Sequence, residues 1–478
     1  MPEATAGTEL LNLAEEFPPA STEAWEAVIQ KDLKGADYEK KLVWRLDEGI
    51  AVRPYYRAED LAGLEAQTSS APGTLPFVRG DGGKWEIAQD WTPPADAIRA
   101  DRLHDAGANA VQELAYALAE GVERISKLTG EGKSVDGSAA STDFVFAVGS
   151  YYFVEIAKLR AARLLWAQVV SAFNPKEEDA CRMRLHARTA RINKSVLDAN
   201  TNLLRATTEA LAAVIGGAQS LLVEPFGFDA HLALNIQRVI KEEAHLDQVR
   251  DAGGGSYYIE SLTDALGREA WKLFQRIESE GGYSQALSSG SLAKAVAQSR
   301  AAKEKALSSR RRAMIGVNNY PNLTEKLPEA KAPAADDKAS IPQFRLAEPF
   351  EKLRERTARY AKAKGAYPKV LLLKRGDVKM RTARANFCLN FFGCAGFEMV
   401  ESEEPQPADI IVLCSSDPEY VAFAKDVCAA VKTPVAVAGN PKEQVEELKS
   451  LGVQGFVHVF SDALQTLTEW QNRLGMEA

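Results

Sequence analysis

The feature that most constrains this chain is an alternation. Short apolar runs of strand length are separated by amphipathic helical stretches, in two separate blocks. In the first block, from Leu75 to about Thr263, Trp85–Gln89, Phe144–Val148, Met183–Arg188 and Ser220–Val223 read as strands. Between them, Asn109–Leu128 places Val111, Leu114, Ala115, Leu118 and Val122 on one helical face. Phe153–Phe173 is a helix that Pro175 stops, and Thr201–Ile215 is a helix broken by Gly216-Gly217. Strands alternating with helices predict parallel βαβ units. The Gly/Ser-rich residues 129–141 read as a loop, and 262–317 as helix-rich and charged. The second block begins at Lys369, with strands at Val370–Leu373, Ile410–Leu413, Val435–Ala438 and Phe456–Val459. That spacing predicts a small doubly wound sheet of flavodoxin-like type.

The 478 residues suggest two or three domains. We divide the chain into an N-terminal arm and linker (1–74), a barrel-like domain (75–263), a helical segment and linker (264–345) and a C-terminal α/β domain (346–478). In the arm, Pro18-Pro19 precedes a helix start at Ser21–Glu26, Lys41–Arg45 reads as a strand, and Trp25, Leu33, Trp44, Tyr55 and Tyr56 make the segment aromatic. Residues 67–74 and 327–341 read as linkers. The net charge of −8 gives no electrostatic support for binding nucleic acid. No run of ~18 apolar residues predicts a membrane span. The first residues, Met1 to Glu9, lack a basic region and an apolar core, so a cytoplasmic protein is expected. The five cysteines form no CxxC pair, so reduced, buried thiols are expected rather than a metal or redox site.

Four stretches carry a family resemblance: Trp25–Tyr56; Phe144–Arg163; His186–Gly217; and Asp251-Ala252-Gly253-Gly254-Gly255-Ser256-Tyr257-Tyr258-Ile259-Glu260. In this order, and with the C-terminal block, they resemble the methylmalonyl-CoA mutase family, specifically its small, non-catalytic subunits. The resemblance implies a TIM-type barrel for acyl-CoA and a C-terminal cobalamin-binding domain. The family's chemistry is a radical rearrangement interconverting succinyl-CoA and methylmalonyl-CoA, started by adenosylcobalamin, with the protein supplying orientation and shielding.

Several positions depart from what that chemistry needs. In the family, the first strand of the cobalamin domain leads into a DxHxxG loop whose His ligates cobalt. Here it leads into Lys374-Arg375-Gly376-Asp377-Val378-Lys379, with no imidazole after the strand. His458, on the last expected strand, reads as a packing residue. Ser415-Ser416 keeps the family's paired serines, and Gly439-Asn440 stands where a Gly-Gly pair is usual, so Gly376, Asp377, Ser415, Ser416 and Gly439 mark degenerate cobalamin loops. Lys374, Arg375, Lys379, Arg381 and Arg384 form a solvated or interface face, or alternatively an anion site. In the barrel, Arg79–Trp85 replaces an aromatic segment that meets the substrate. The family's "HCQTS" stretch appears as His186-Ala187-Arg188-Thr189-Ala190, leaving His186, Arg188, Thr189 and Asn193 as vestigial substrate-pocket candidates. Arg188 either pairs with a neighbouring carboxylate or alters the pocket, and His186 is a satisfied barrel residue or a functional one. The block from Leu75 to Thr263 is shorter than the roughly 200 residues below which a (β/α)₈ barrel is rarely found. A truncated barrel is therefore expected, with the missing units between Leu128 and Phe144.

The expected role is the non-catalytic subunit of a heterodimer. It would bind no cofactor or metal itself, while a large catalytic partner holds adenosylcobalamin. Two alternatives are a catalytic subunit borrowing a cobalamin domain from another chain, and a regulatory or chaperone-like binding module.

Overall fold

The computed structural model describes residues 19–477, apart from 81–83, 326, 328–331, 335 and 337. The start of the arm and part of the linker expected over 327–341 thus lie outside the described residues. The chain divides into two compact units, Met1–Tyr56 and Arg57–Ala478.

In the first unit, the Ser21 hydroxyl accepts from the Ala24 N–H and opens α1 (Thr22–Asp32), and Asp37 caps α2 (Tyr38–Lys41). β1 (Trp44–Arg45) pairs antiparallel with β2 (Ala51–Val52). The strand expected from Lys41 is shorter because the Asp37 cap commits Tyr38–Lys41 to helix. Trp25 stacks on Tyr55 at 4.9 Å, and the Tyr55 hydroxyl donates to Glu26. Neither helix buries a residue.

The second unit opens with α3 (Glu65–Thr68), β3 (Glu86–Ile87), α4 (Ala100–Asp105), α5 (Ala110–Gly130) and α6 (Val135–Ala140). It continues with β4 (Asp143–Val148), α7 (Tyr152–Ala172), β5 (Arg184–Thr189), α8 (Thr201–Ile215), β6 (Ser220–Leu222) and α9 (Ala230–Arg238). Helices α10 (Tyr257–Ser279), α11 (Gly282–Ser288), α12 (Ser291–Ser308) and α13 (Glu348–Lys364) follow. The sheet order is β3-β6-β5-β4, all parallel, and Ile98 adds a parallel bridge to Phe144. α10 packs on α5 and α7, and α7 on α8.

This order locates the truncation. In a closed barrel each strand neighbours the next in sequence and the last returns to the first. Here the last strand, β6, does pair with the first, β3. No pairing among the described residues joins β3 to Ile98. Only residues 88–97 connect them, too few for the dozen or more that a parallel crossover needs. The barrel is therefore cut between Ile87 and Ile98, not between Leu128 and Phe144 as the sequence suggested. The latter stretch completes the crossover from Ile98 to β4. It also contains a helix, α6, rather than only a loop: Ser134 caps it, and Ser138 and Thr142 hydroxyls bond back to the carbonyls of Ser134 and Ser138.

Phe144, Phe146, Val148, Leu185, Ala187 and Leu221 face the helices and form one core with Trp166. Trp166 meets Phe144 edge-on at 4.7 Å, and a Cβ built at Gly121 on α5 would sit 2.5 Å from its ring. Gly121→Ala is expected to cost about 1–3 kcal/mol through overpacking, outweighing the ~1 kcal/mol by which alanine favours helix. A lowered urea midpoint at unchanged slope would report it.

The C-terminal region comprises β7 (Lys369–Lys374), α14 (Val378–Gly393), β8 (Glu398–Ser402), β9 (Ile410–Cys414), α15 (Tyr420–Ala430), β10 (Val435–Ala438), α16 (Val445–Ser450), β11 (Val453–Val457) and α17 (Ala463–Arg473). The five parallel strands lie in the order β8-β7-β9-β10-β11, the flavodoxin-like arrangement. β8 escapes the sequence pattern because it is an edge strand carrying Glu398 and Glu401, only partly buried. The last strand lies earlier than expected and includes Gly455, where a Cβ would meet Trp470 at 2.8 Å. His458 consequently sits just past the strand, half-buried, its Nδ1 accepting from the Phe460 N–H. The two regions share a core in which Ala147, Ala190 and Ile192 join Phe344, Phe350, Val370 and Leu372.

Candidate functional site

Strand alternation turns Asp143, His186, Arg188 and Ser220 away from the helices, onto what would be a barrel's inner face. The connection that replaces the missing strands folds over this face. Trp91 stacks on the His186 ring at 4.2 Å. His186 Nδ1 lies 2.7 Å from the Ser220 hydroxyl, and Nε2 lies 3.1 Å from Asp143 Oδ1. Arg184 Nε donates to the same Asp143 oxygen at 2.7 Å. Burial lowers the His186 pKa, and Asp143 only partly opposes this. An open cavity of about 630 Å³ runs beside these groups, lined by Trp91, His186, Ser220, His231 and Arg238 among others.

Arg188 is locked in place. Its guanidinium donates to Asp101 (2.6 Å), Asp105 (2.5 Å) and, more distantly, Glu224 (3.5 Å). Burial alone would lower its pKa, but Asp105 and Asp101 hold it well above the usual value. Asp105 also accepts from the Arg191 and Ile192 N–H groups, and Thr189 accepts from the Glu224 N–H. Asn193 belongs to a different cluster. Together with Lys194 it donates to Glu209, and all three are buried. Burial raises the Glu209 pKa and lowers that of Lys194. Of the four candidates, His186 and Arg188 share the inner face, Thr189 is fully buried beside Arg188, and Asn193 is anchored elsewhere.

The Asp251–Glu260 motif is a structural clamp. Asp251 and Glu260 both accept from Arg160, which is fully buried, and Asp251 also takes Arg79. Gly255 N–H donates to Glu260, and Ser256 caps α10. Arg163 donates to the carbonyls of Phe77, Val78, Gly216 and Gly217. At Gly217 (φ +81°) a Cβ would sit 2.8 Å from that guanidinium, so the close approach needs glycine.

In the C-terminal sheet the switch point lies between β7 and β9, where such folds bind ligands beyond the strand ends. Glu419 occupies it. Its Oε2 accepts from the Ser415 hydroxyl (2.7 Å), the Ser416 hydroxyl (2.5 Å) and N–H (3.2 Å), and the Asp377 N–H (3.3 Å). A Cβ at Gly376 (φ +79°) would sit 2.2 Å from this carboxylate. Gly376, Asp377, Ser415 and Ser416 are thus brought together around a group of the chain itself. Gly439 lies apart from them, against the Arg384 guanidinium. Of the basic residues, Lys374 pairs with Glu401, Arg375 with Asp426, Arg381 with Glu403 and Arg384 with Asp417. The Ser416 and Ser415 hydrogen bonds pull the Glu419 pKa from 4.5 down to about 2. A folded value below the unfolded one stabilises above pH about 4.5, and that contribution is lost as pH falls to about 2. Acid unfolding of Glu419→Gln is therefore expected to show a deficit at neutral pH that vanishes near pH 2.

The sequence pattern did not reveal Trp91, Asp101, Asp105, Asp143, Glu209, Ser220 or Glu419. Asp101 and Asp105 carry one legible signal: their four-residue spacing puts both on one helical face. Among the described residues no group of three or more His, Cys, Asp or Glu is arranged to hold a metal. No described helix is long and apolar enough to cross a membrane.

Fold and site together define a parallel (β/α) barrel cut open on one side and joined to a flavodoxin-like domain whose ligand crevice is self-filled. Residues 96–364 match the family described as methylmalonyl-CoA mutase. The chain is 33% identical, over 624 aligned residues, to the methylmalonyl-CoA mutase small subunit of Porphyromonas gingivalis, covering 97% of this chain and 99% of that one. It is 29% identical over 620 residues to the small subunit of Streptomyces virginiae, covering 98% of each. To the methylmalonyl-CoA mutase of Escherichia coli it is 36% identical over 232 residues, 47% of this chain and 32% of that protein. The chain belongs to the methylmalonyl-CoA mutase family. The alignments with the two small subunits, 624 and 620 residues, extend well beyond the 478 residues of this chain.

Proposed function

We propose that this chain is the non-catalytic small subunit of a heterodimeric, adenosylcobalamin-dependent methylmalonyl-CoA mutase. It stabilises a large catalytic subunit in the cytoplasm and binds no cofactor itself. The observation that carries this reading is the cut between Ile87 and Ile98. A barrel open on one side cannot exclude water from a radical, and exclusion is what protects reactive intermediates. The substrate pocket is also altered, since Arg188 and its carboxylates occupy the inner face.

The residues at the C-terminal crevice do not fit a cobalamin. No imidazole follows β7, and Glu419 uses the serine hydroxyls that a ligand would need. His458 Nδ1 is engaged by a backbone N–H. What remains is surface. In the arm, residues 1–74, Trp25 and Trp44 are 43% and 48% exposed, and beyond the C-terminal strands Phe460 is 87% exposed. Exposed aromatics are what buried interface centres are made from. Names that call relatives small subunits support a larger partner for this chain as well.

Co-expression with the large subunit, followed by light scattering on a sizing column, tests the partnership. A 1:1 complex that survives dilution is expected. A complex that dissociates during the run would favour a transient regulatory module instead, and no complex would refute the proposal.

A further inference from the structure

Ser220, His186 and Asp143 stand on adjacent strands β6, β5 and β4 and form a hydrogen-bonded chain. Asp143 is paired with Arg184, and as a carboxylate it only accepts. Its 3.1 Å contact therefore fixes the His186 proton on Nε2. Nδ1 is then left with a lone pair, so the 2.7 Å contact is the Ser220 hydroxyl donating to it. A hydroxyl donating to an imidazole whose other nitrogen is held by a carboxylate is the arrangement that activates a serine nucleophile. The His186 ring cannot swing away, because Trp91 stacks on it at 4.2 Å.

The same groups border open space. Ser220 and His186 both line the cavity of about 630 Å³, within the range of small-molecule sites. His231 and Arg238, from α9, line it too. Access to water, which spoils radical chemistry, is what a hydrolytic site requires.

We propose that, separately from the mutase reaction in which the chain is non-catalytic, Ser220 is the nucleophile of an acyl-transfer site that takes a small activated ester or thioester. Ser220 Oγ forms a bond to the acyl carbon as its proton passes to His186 Nδ1. The bond to the alkoxide or thiolate leaving group breaks, and that group takes the proton from His186. Water then repeats the sequence on the acyl-serine, giving the free acid and restoring the hydroxyl. No oxidant, metal or cofactor enters the balance.

The probe is a fluorophosphonate, which labels activated serines, applied to the full chain and read by peptide mass spectrometry. A single adduct on Ser220 is expected, absent after heat unfolding and absent in Ser220→Ala. Asp143→Asn permits the wrong imidazole tautomer, and labelling should slow by on the order of 10⁴-fold. The thiol introduced by Ser220→Cys should be alkylated by iodoacetamide ahead of the half-buried Cys428. A folded wild-type chain with no adduct on Ser220 would overturn the proposal. So would a Ser220→Cys thiol no more reactive than Cys428.

Discussion

Lys194→Met is expected to destabilise the second unit by about 3–5 kcal/mol, the cost of leaving a buried charge without its partner. Lys194 and Glu209 are both essentially inaccessible, at 1% exposure each. Two short contacts, 2.6 and 2.7 Å, tie the ammonium to both carboxylate oxygens. Without the ammonium, Asn193 is the one donor left to Glu209 among the described residues. The carboxylate would then take up a proton, so the deficit should shrink at acid pH. Lys194→Met combined with Glu209→Gln removes both charges and keeps an acceptor for Asn193. The double variant is expected to recover most of the loss. Guanidinium unfolding of the four proteins in the cycle measures it. A double variant no more stable than Lys194→Met alone would show that the pair matters through packing rather than charge. Against a typical total stability of 5–15 kcal/mol, the single change should also lower the yield of soluble protein.

Trp25→Ala and Trp44→Ala are expected to weaken association with the large subunit by about 2 kcal/mol or more each, roughly 30-fold, the scale of interface hot spots. Both rings keep over two-fifths of their surface exposed. α1, which carries Trp25, buries no residue, so its truncation should leave the second unit's unfolding midpoint unchanged. Titration by fluorescence anisotropy, with denaturant unfolding as control, separates the two effects. Undiminished affinity in both variants would remove the arm from the interface.

Much of the architecture was legible because it depends on local patterns. Thr201–Ile215 matches the observed helix, and the apolar runs at 370–373, 410–413 and 435–438 mark central strands buried on both faces. The edge strand β8 was less visible, because Glu398 and Glu401 flank only two apolar residues, whereas β3 lies within the expected Trp85–Gln89. The position of the barrel cut was misread because strand order is a long-range property. β6 returning to β3 leaves no local mark. The candidate residues were only partly readable for the same reason. The sequence offers an inward Arg188 but not Asp101 and Asp105, more than eighty residues earlier, that neutralise it. Ser415-Ser416 looked like a remnant of ligand binding. Its actual partner, Glu419, is only three residues beyond Ser416, a capping-box spacing with its own local purpose.

The most direct measurement is made on the purified chain alone, incubated with adenosylcobalamin and desalted. Its corrin absorbance is then recorded and succinyl-CoA interconversion assayed, before and after addition of the large subunit. The expected result is no retained corrin and no isomerisation by the chain alone, with both appearing only in the complex. Retained corrin absorbance, or turnover of succinyl-CoA by this chain without its partner, would contradict a cut barrel and a self-filled crevice as the basis of its role.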